Sequence, residues 1–232
     1  MTGPGLPPPV APWVLGGESV VCLARGGGRV GTMPEGVRRV AGPCLVVAAC
    51  YSGSPVGPYL ELAVGEPTRL GVRFGWCFTT MVVSSADARL GGRASWGFPK
   101  ELGTLTWSRD GSVRSMHWAE RDVTVTGVAS RFVLPALVPV RALQRRTDGP
   151  VVVPGRLRGL GRVARVTVSA PADDPMSSVA GRHLGVVVAS MKYVVRPARH
   201  PFGLTSSLRA PLHAPEPALS SSVPPGAYSS VG

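Results

Sequence analysis

The sequence predicts a mainly β protein, folded as one antiparallel barrel or sandwich. Glycine and proline are frequent, at 30 and 24 of 232 residues. They follow no fixed period, which favours many turns over long helices. Short runs rich in β-branched and aromatic residues recur roughly every ten residues between glycines or prolines, as in an antiparallel sheet. Hydrophobic residues make up 44% of the chain, which is enough for a buried core.

The individual elements follow from local composition and alternation. The strongest helical signal is SSADARLGG, which predicts a short helix with Ser84 or Ser85 as N-cap and Gly91 or Gly92 as its stop. A weaker helical candidate is LVPVRALQRR (137–146). The predicted strands, in chain order, are PCLVVAACY (43–51), PYLELAV (58–64), RLGVRFGWCFTTMVV (69–83), GTLTWS (103–108), SVRSMHWAE (112–120), RDVTVTGVASRFV (121–133), GPVVVPG (149–155), RVARVTVSA (162–170) and LGVVVASMKYVVRP (184–197).

The two ends of the chain differ from its middle. Residues 1–12 are rich in proline, and residues 201–232 mix Pro, Ser, Ala and Gly with few side chains to bury. Segments of this composition cannot offset the entropy of ordering. We therefore predict a folded domain over 13–200, flanked by disordered segments at 1–12 and 201–232.

The net charge of +12 does not by itself indicate a nucleic-acid partner. Nucleic-acid binding proteins cluster their cations on one surface, where phosphate contact releases counterions. Here the arginines are scattered, with one modest concentration at 141–165, and no zinc-finger, basic-zipper or RNP-like motif accompanies them. A bias toward Arg, Ala, Gly, Pro and Val, as a GC-rich coding sequence gives, explains the charge equally well. We expect no nucleic-acid partner.

The cysteine pattern and the lack of a recognisable targeting signal lead us to expect a cytoplasmic protein. Each cysteine lies in an apolar run and no pair has C-x-x-C spacing, so we expect buried free thiols. The start MTGPGLPPPVAP has neither the positive region nor the apolar run of a secretion signal. No segment reaches the length of a membrane span. The cysteines are Cys22, Cys44, Cys50 and Cys77.

No motif predicts a metal site or a cofactor. The histidines are isolated from one another, without H-x-H or H-E-x-x-H spacing. The glycine run RGGGRVG (25–31) lacks the ending of a phosphate loop and is read as a turn. We therefore expect chemistry that relies on side chains alone. The histidines are His117, His183, His200 and His213.

Lys100 is the strongest candidate for such chemistry. The chain has 25 lysines and arginines, of which only Lys100 and Lys192 are lysines. A lysine amine attacks a carbonyl carbon only when neutral, and burial among apolar side chains disfavours its charged form. Trp96 and Phe98 precede Lys100 and could supply that surface. The alternative is a surface lysine at the end of a turn.

The segment GRASWGFPKELG (92–103) resembles the active-site segment of the acetoacetate decarboxylase superfamily. That family has the pattern G-R-x-x-x-x-aromatic-Pro-Lys-x-Leu-Gly, with a Schiff-base lysine after the proline. The resemblance implies that Lys100 is this lysine. The matching residues are Gly92, Arg93, Phe98, Pro99, Lys100, Leu102 and Gly103.

A second segment, YSGSPVGPYLELAV (51–64), is similar to the family strand that carries an active-site glutamate. The resemblance places Glu61 in that role. Strand alternation puts Glu61 on one face with Tyr59 and Ala63, and the neighbouring leucines on the other. We expect Arg93, Phe98, Trp96 and Tyr59 to contact the substrate.

Besides a second family glutamate, which would fall near Val46 or Val47, two positions depart from the family pattern. Glu101 stands where acetoacetate decarboxylase has a second lysine, although an extended segment would point Glu101 away from the pocket. The family's upstream arginine, which holds the substrate carboxylate, has only a displaced counterpart in Arg25. Aldol condensation with dehydration is therefore open alongside decarboxylation.

The resemblance implies a cone-shaped antiparallel barrel with a few short helices around an apolar cavity, and usually a homo-oligomer. It implies a cofactor-independent carbon–carbon lyase that acts on a small oxo acid or carbonyl substrate through Lys100 and Glu61. A protein of another class, a barrel that binds a small apolar ligand without catalysis, is the alternative.

Overall fold

The computed structural model describes residues 9–25 and 29–201, and it confirms the mainly β class. The predicted disordered segments fall mostly on residues 1–8 and 202–232, which lie outside the described residues. The strands are β1 Trp13–Ala24, β2 Arg38–Arg39, β3 Cys44–Gly53, β4 Tyr59–Leu70, β5 Arg73–Val83, β6 Lys100–Leu102, β7 Leu105–Asp110, β8 Val113–Trp118, β9 Val123–Arg146, β10 Gly149–Ser169 and β11 Gly181–Val195.

All the described strands belong to one large sheet. Its order is β6-β5-β4-β3-β1-β11-β10-β9-β8-β7, with β2 paired to β4. Neighbouring strands are antiparallel except β5 and β6, which run parallel. β5 and β9, which are distant in this order, also meet at a single bridge between Trp76 and Ala142. The sheet therefore curves until β5 meets β9, but it does not close into a regular hydrogen-bonded barrel.

Several predicted boundaries differ from the structure. The predicted run 69–83 is two strands, because Gly71 adopts a φ of 58° in a turn between β4 and β5. The helical candidate 137–146 is wrong, since this segment is the end of β9 and pairs with β10 from Arg146 opposite Gly149 onward. The segments predicted at 149–155 and 162–170 form the single strand β10.

Helix α1, Ala86–Trp96, connects the parallel strands β5 and β6. It begins as predicted, with the Ser85 side chain accepting a hydrogen bond from the Ala88 amide. Its predicted stop is wrong, because the helix continues through Gly92 to Trp96. Gly97 then caps it in the left-handed conformation at φ 70°. In the described ranges, no helix is both long and apolar enough to cross a membrane.

Alternation along the strands builds two cores on opposite faces of the sheet. On β4, Leu62 and Val64 pack into one core, whereas Tyr59 and Ala63 pack into the other. The first core also contains Val20, Val46, Met116, Val125 and Val166. The second contains Trp13, Leu15, Phe78, Met81, Trp96 and Phe98, and it surrounds the cavity described below.

A buried carboxylate fastens the β7–β8 hairpin to β1. Glu18, only 3% exposed, accepts hydrogen bonds from Trp107 Nε1 at 2.9 Å, Arg109 Nε at 3.0 Å and Arg114 Nε at 2.8 Å. Burial raises the pKa of Glu18, but the hydrogen bonds from both arginines and the tryptophan outweigh it, so the pKa lies below the ordinary 4.5. The ionised form is therefore the one that the fold stabilises.

We expect this carboxylate to make stability depend on acid pH. Because the folded pKa is depressed, its contribution is complete above the unfolded pKa and is lost as pH falls through the folded pKa. Glu18→Gln should lower the melting temperature at pH 7 by roughly 5 °C. The difference from the native protein should shrink as pH falls below 4.5.

Melting curves by circular dichroism from pH 3 to 8 measure this effect. Glu101→Gln is the matched control, because Glu101 is an exposed carboxylate on β6. A Glu18→Gln difference that stays constant over this pH range would contradict the assignment.

Candidate active site

A cavity of about 480 Å³ lies within the second core. Aromatic and aliphatic side chains from β1, β3, β4, β5, β9, β10 and β11 form most of its wall. Leu23, Val138 and Leu184 line it while exposed to solvent, so the cavity reaches the protein surface there. Its volume falls within the range of small-molecule sites.

Lys100 lies in this wall and is 3% exposed. β6 pairs Lys100 with Met81 of β5, while Arg93 Nε donates a hydrogen bond to the Lys100 carbonyl oxygen at 2.6 Å. A Cβ atom on Gly92 would lie 2.6 Å from Lys100 Cδ. Only glycine at position 92 therefore leaves space for the lysine side chain beside the helix. This requirement explains why a glycine occupies the interior of α1, where it disfavours the helix.

Glu61 and Lys100 form a buried ion pair. Lys100 Nζ lies 2.7 Å from Glu61 Oε2, and the glutamate is 6% exposed. β4 holds Glu61 opposite Val83 of β5, and β6 lies on the other side of β5. The two segments that resemble the family motifs thus meet across one strand.

Three tyrosines surround this pair. Tyr51 donates a hydrogen bond to Glu61 Oε1 at 3.4 Å, and the Tyr59 ring centre lies 5.2 Å from Lys100 Nζ. Burial first, and then the charge of Glu61, raise the pKa of Tyr51, Tyr59 and Tyr193 above the usual range. All three hydroxyls are therefore neutral groups that can donate a hydrogen bond.

Of the three tyrosines in the cavity wall, the sequence predicted only Tyr59. The chain has four tyrosines, and Tyr51, Tyr59 and Tyr193 all line the cavity. Tyr51 lies directly opposite Tyr59 in the β3–β4 register, so strand pairing alone could have suggested it. Tyr193 comes from β11, which is distant in sequence, and no local signal marks it.

The structure also places the remaining residues predicted to contact a substrate. Trp96 and Phe98 line the cavity; Trp96 packs edge-on against Trp13 with ring centres 5.1 Å apart. Arg93 is exposed and absent from the wall, because its guanidinium is used on the Lys100 backbone. The structure therefore does not bring Arg93 into the cavity with the other residues predicted to contact a substrate.

The two departures from the family pattern have different consequences. Glu101 is exposed on β6, as the extended segment predicted, and faces away from the buried Lys100. Arg25 is exposed at the end of β1 and is not in the cavity wall. Over residues 9–25 and 29–201, no arginine lines the cavity, and no cluster of His, Cys, Asp or Glu could hold a metal ion.

Fold and site together define a β-rich protein with an apolar small-molecule cavity and one buried lysine–glutamate pair. The family model for acetoacetate decarboxylase (ADC) matches residues 33–148. The chain therefore belongs to the acetoacetate decarboxylase family, and this membership supports an enzyme.

Solved structures of similar fold support the architecture. Acetoacetate decarboxylase from Legionella pneumophila shares 14% identity at a TM-score of 0.64, covering 86% of this chain and 91% of that one. An acetoacetate decarboxylase-like enzyme from Sphingomonas wittichii RW1 shares 16% at 0.62, covering 81% and 91%. The enduracididine biosynthesis enzyme MppR, complexed with the condensation product of pyruvate and imidazole 4-carboxaldehyde, shares 16% at 0.62, covering 82% and 89%. A search of curated proteins gave no match.

The close approach of Gly92 to Lys100 gives a test of the site that leaves the fold intact. Gly92→Ala should push the lysine side chain out of place, since the added methyl group would overlap Cδ and Cε. Misplacement of a reacting group by about 1 Å costs on the order of a hundredfold in rate. Helix stability should not fall, because alanine is favoured over glycine by about 1 kcal/mol.

Reductive labelling of Lys100 with a small aldehyde, followed by peptide mass spectrometry, measures the effect. Gly53→Ala is the control, because a methyl group there meets no described atom within 4 Å. Equal labelling in Gly92→Ala and the native protein would show that the glycine does not set the position of the lysine.

Proposed function

We propose that this protein is a cofactor-independent carbon–carbon lyase that forms a Schiff base between Lys100 and a small oxo acid or other carbonyl compound. The observation that carries the proposal is the Lys100 amine, enclosed by an apolar cavity and held 2.7 Å from the Glu61 carboxylate. An amine so enclosed has a carboxylate within reach to accept its proton, which nucleophilic attack requires. The family resemblance points to the same two residues.

Lys100 and Glu61 supply and accept every proton that the first step requires. Glu61 takes a proton from the Lys100 ammonium, and the neutral amine attacks the carbonyl carbon to form a carbinolamine. Glu61 then returns the proton to the carbinolamine hydroxyl, which leaves as water. The product is an iminium, with its positive charge next to the Glu61 carboxylate.

The iminium is the electron sink for the second step. Loss of carbon dioxide from a β-oxo acid, or removal of an α-proton by Glu61, leads to the same enamine on Lys100. That enamine either takes up a proton, after which water hydrolyses the iminium and releases the decarboxylated ketone, or attacks an aldehyde in an aldol condensation. The three tyrosine hydroxyls in the cavity wall are neutral donors for an oxygen that gains charge in these steps.

Two further expectations accompany this proposal. The cysteines, all free, are compatible with the reducing conditions of the cytoplasm, where we place the protein. Exposed apolar side chains along β9 and β10, Phe132, Val133, Leu137 and Leu160, support a homo-oligomer. A second candidate function, binding of a small apolar ligand without catalysis, rests on the apolar wall alone.

Lys100 should be the reactive amine of the described chain. Borohydride reduction in the presence of a panel of ketones, aldehydes and oxo acids should add mass to the peptide containing Lys100, because only an imine is reduced to a stable adduct. Lys100→Ala should abolish this adduct. Since this variant leaves the Glu61 charge buried, Lys100→Gln, which can still hydrogen-bond the carboxylate, provides a second test.

Lys192→Ala is the matched control, because Lys192 is the other lysine and is exposed on β11. It should keep the adduct at Lys100. No adduct with any member of the panel would favour the binding protein over the lyase.

Glu61→Gln should slow α-proton removal by about a hundredfold, a typical loss when a catalytic base is removed. The variant should still form the imine, but more slowly than the native protein, because water must take over the proton transfers of Glu61 in that step. Exchange of acetone or pyruvate α-protons with deuterium oxide, followed by NMR, measures the step without knowledge of the full substrate.

Glu101→Gln is the control for this variant, since it removes the exposed carboxylate adjacent to Lys100. It should leave the exchange rate unchanged. Exchange that proceeds at the native rate in Glu61→Gln would remove Glu61 from the mechanism.

A further inference from the structure

The charges that face the cavity are already paired with each other. Among the described residues of the wall, Lys100 and Glu61 are the charged side chains, and they lie 2.7 Å apart. The other polar groups there are neutral and include Ser19, Tyr51 and Tyr193. The described part of the chain therefore presents to the cavity no cation beyond the amine that reacts in imine formation.

This arrangement disfavours a substrate carboxylate. After imine formation the iminium carries one positive charge, which Glu61 already balances. A carboxylate on the substrate would add an uncompensated negative charge to an apolar enclosure, and burial of an unpaired ion is costly. An arginine fork is the usual solution for a buried carboxylate, and no arginine of the described residues lines this wall.

The arginines near the site have other partners. Arg93 donates to the Lys100 carbonyl oxygen, and Arg146 donates to the Ser95 carbonyl oxygen at 3.4 Å while pairing with Asp148. These contacts hold the backbone around α1 from outside the cavity. Among the described residues, Lys100 is therefore the cation that lines the cavity.

The rest of the wall, apart from the polar groups named above, is suited to an apolar chain. Ala136, Val138, Leu157, Val186 and Val188 belong to the three long strands β9, β10 and β11 and line the cavity. At about 480 Å³, the space is much larger than a three- or four-carbon acid fills. The cavity also reaches the surface beside exposed Leu184, which gives a chain a way in.

We propose that the substrate of Lys100 is a neutral carbonyl compound with a hydrophobic chain, a ketone or an aldehyde, and not an oxo acid. This inference rests on the proposed Schiff-base function and narrows its substrate class. The carbonyl carbon meets the Lys100 amine, oxygen leaves as water with protons from the ammonium, and the chain lies along β9, β10 and β11. The charge on the protein and substrate together is the same before and after this step.

A matched pair of compounds tests the inference on the native protein. 2-Octanone and 2-oxooctanoate carry the same alkyl chain and differ in a methyl group against a carboxylate on the carbonyl carbon. Acetone and pyruvate form the corresponding short pair. Each compound is reduced onto the protein with cyanoborohydride, and the adduct is quantified at Lys100 and Lys192 by peptide mass spectrometry.

Lys192 is an internal reference, because it is exposed and reacts in the same tube. The ratio of adduct at Lys100 to adduct at Lys192 cancels differences in intrinsic electrophilicity between ketone and oxo acid. It also cancels the general attraction of anions to a protein of net charge +12.

We expect the Lys100-to-Lys192 ratio to be at least about tenfold higher for 2-octanone than for 2-oxooctanoate. Along a series of methyl ketones from acetone upward, the half-saturating concentration at Lys100 should fall about fourfold per methylene until the cavity is filled. A ratio that is equal or higher for the oxo acids overturns the neutral-substrate inference while the Schiff-base function stands. No adduct at Lys100 with any of the four compounds overturns both.

Discussion

The buried pair of Lys100 and Glu61 is the constraint on which the site depends. Each charge lies in an apolar enclosure only because the other is 2.7 Å away, and removal of one partner from such a pair typically costs about 3–5 kcal/mol. Two neighbouring strand registers fix that distance, β4 against β5 and β5 against β6. A shift of either register by one residue would turn one charge toward the opposite core. The distance between the two charged groups of the site therefore depends on the correct pairing of these strands.

Sequence patterns predicted the parts of this site that are local. Alternation along PYLELAV placed Glu61 with Tyr59 and Ala63, and all three line the cavity. The helix stop was misjudged at Gly92 because glycine usually ends a helix, whereas here it makes room for a lysine eight residues further along the chain. Tyr193 lies on a strand that pairs with the distant β1, which no local pattern contains. The segment 137–146 is a strand because it forms a hairpin with β10, and this pairing overrides its weak helical propensity.

Several of the arginines that make the chain strongly basic bind carboxylates that are buried or largely buried. Arg114 binds buried Glu18, Arg39 binds buried Glu66 through Nε, and Arg121 binds Asp174 through both Nε and Nη2. A planar guanidinium satisfies a buried carboxylate with parallel hydrogen bonds, which an ammonium cannot do. Arginine thus holds loops and hairpins to the sheet, whereas the one described buried lysine faces the cavity. This division gives a physical meaning to the scarcity of lysine in the chain.

The ion pair and the cavity wall have different roles: the ion pair supplies the imine chemistry, whereas the wall residues determine which substrate fits. A buried amine with a carboxylate beside it is enough to form an imine and move an α-proton, and decarboxylation and aldol chemistry share that need. Orientation of a carboxylate for loss as carbon dioxide needs a further cation, because the scissile bond must leave the carbonyl plane and stay there. Apart from Lys100, the described wall of this cavity is built mainly from valine, leucine and aromatic residues and contains no such cation. Substrate class in this fold can therefore change through wall residues alone, while the strands that hold the ion pair keep their register.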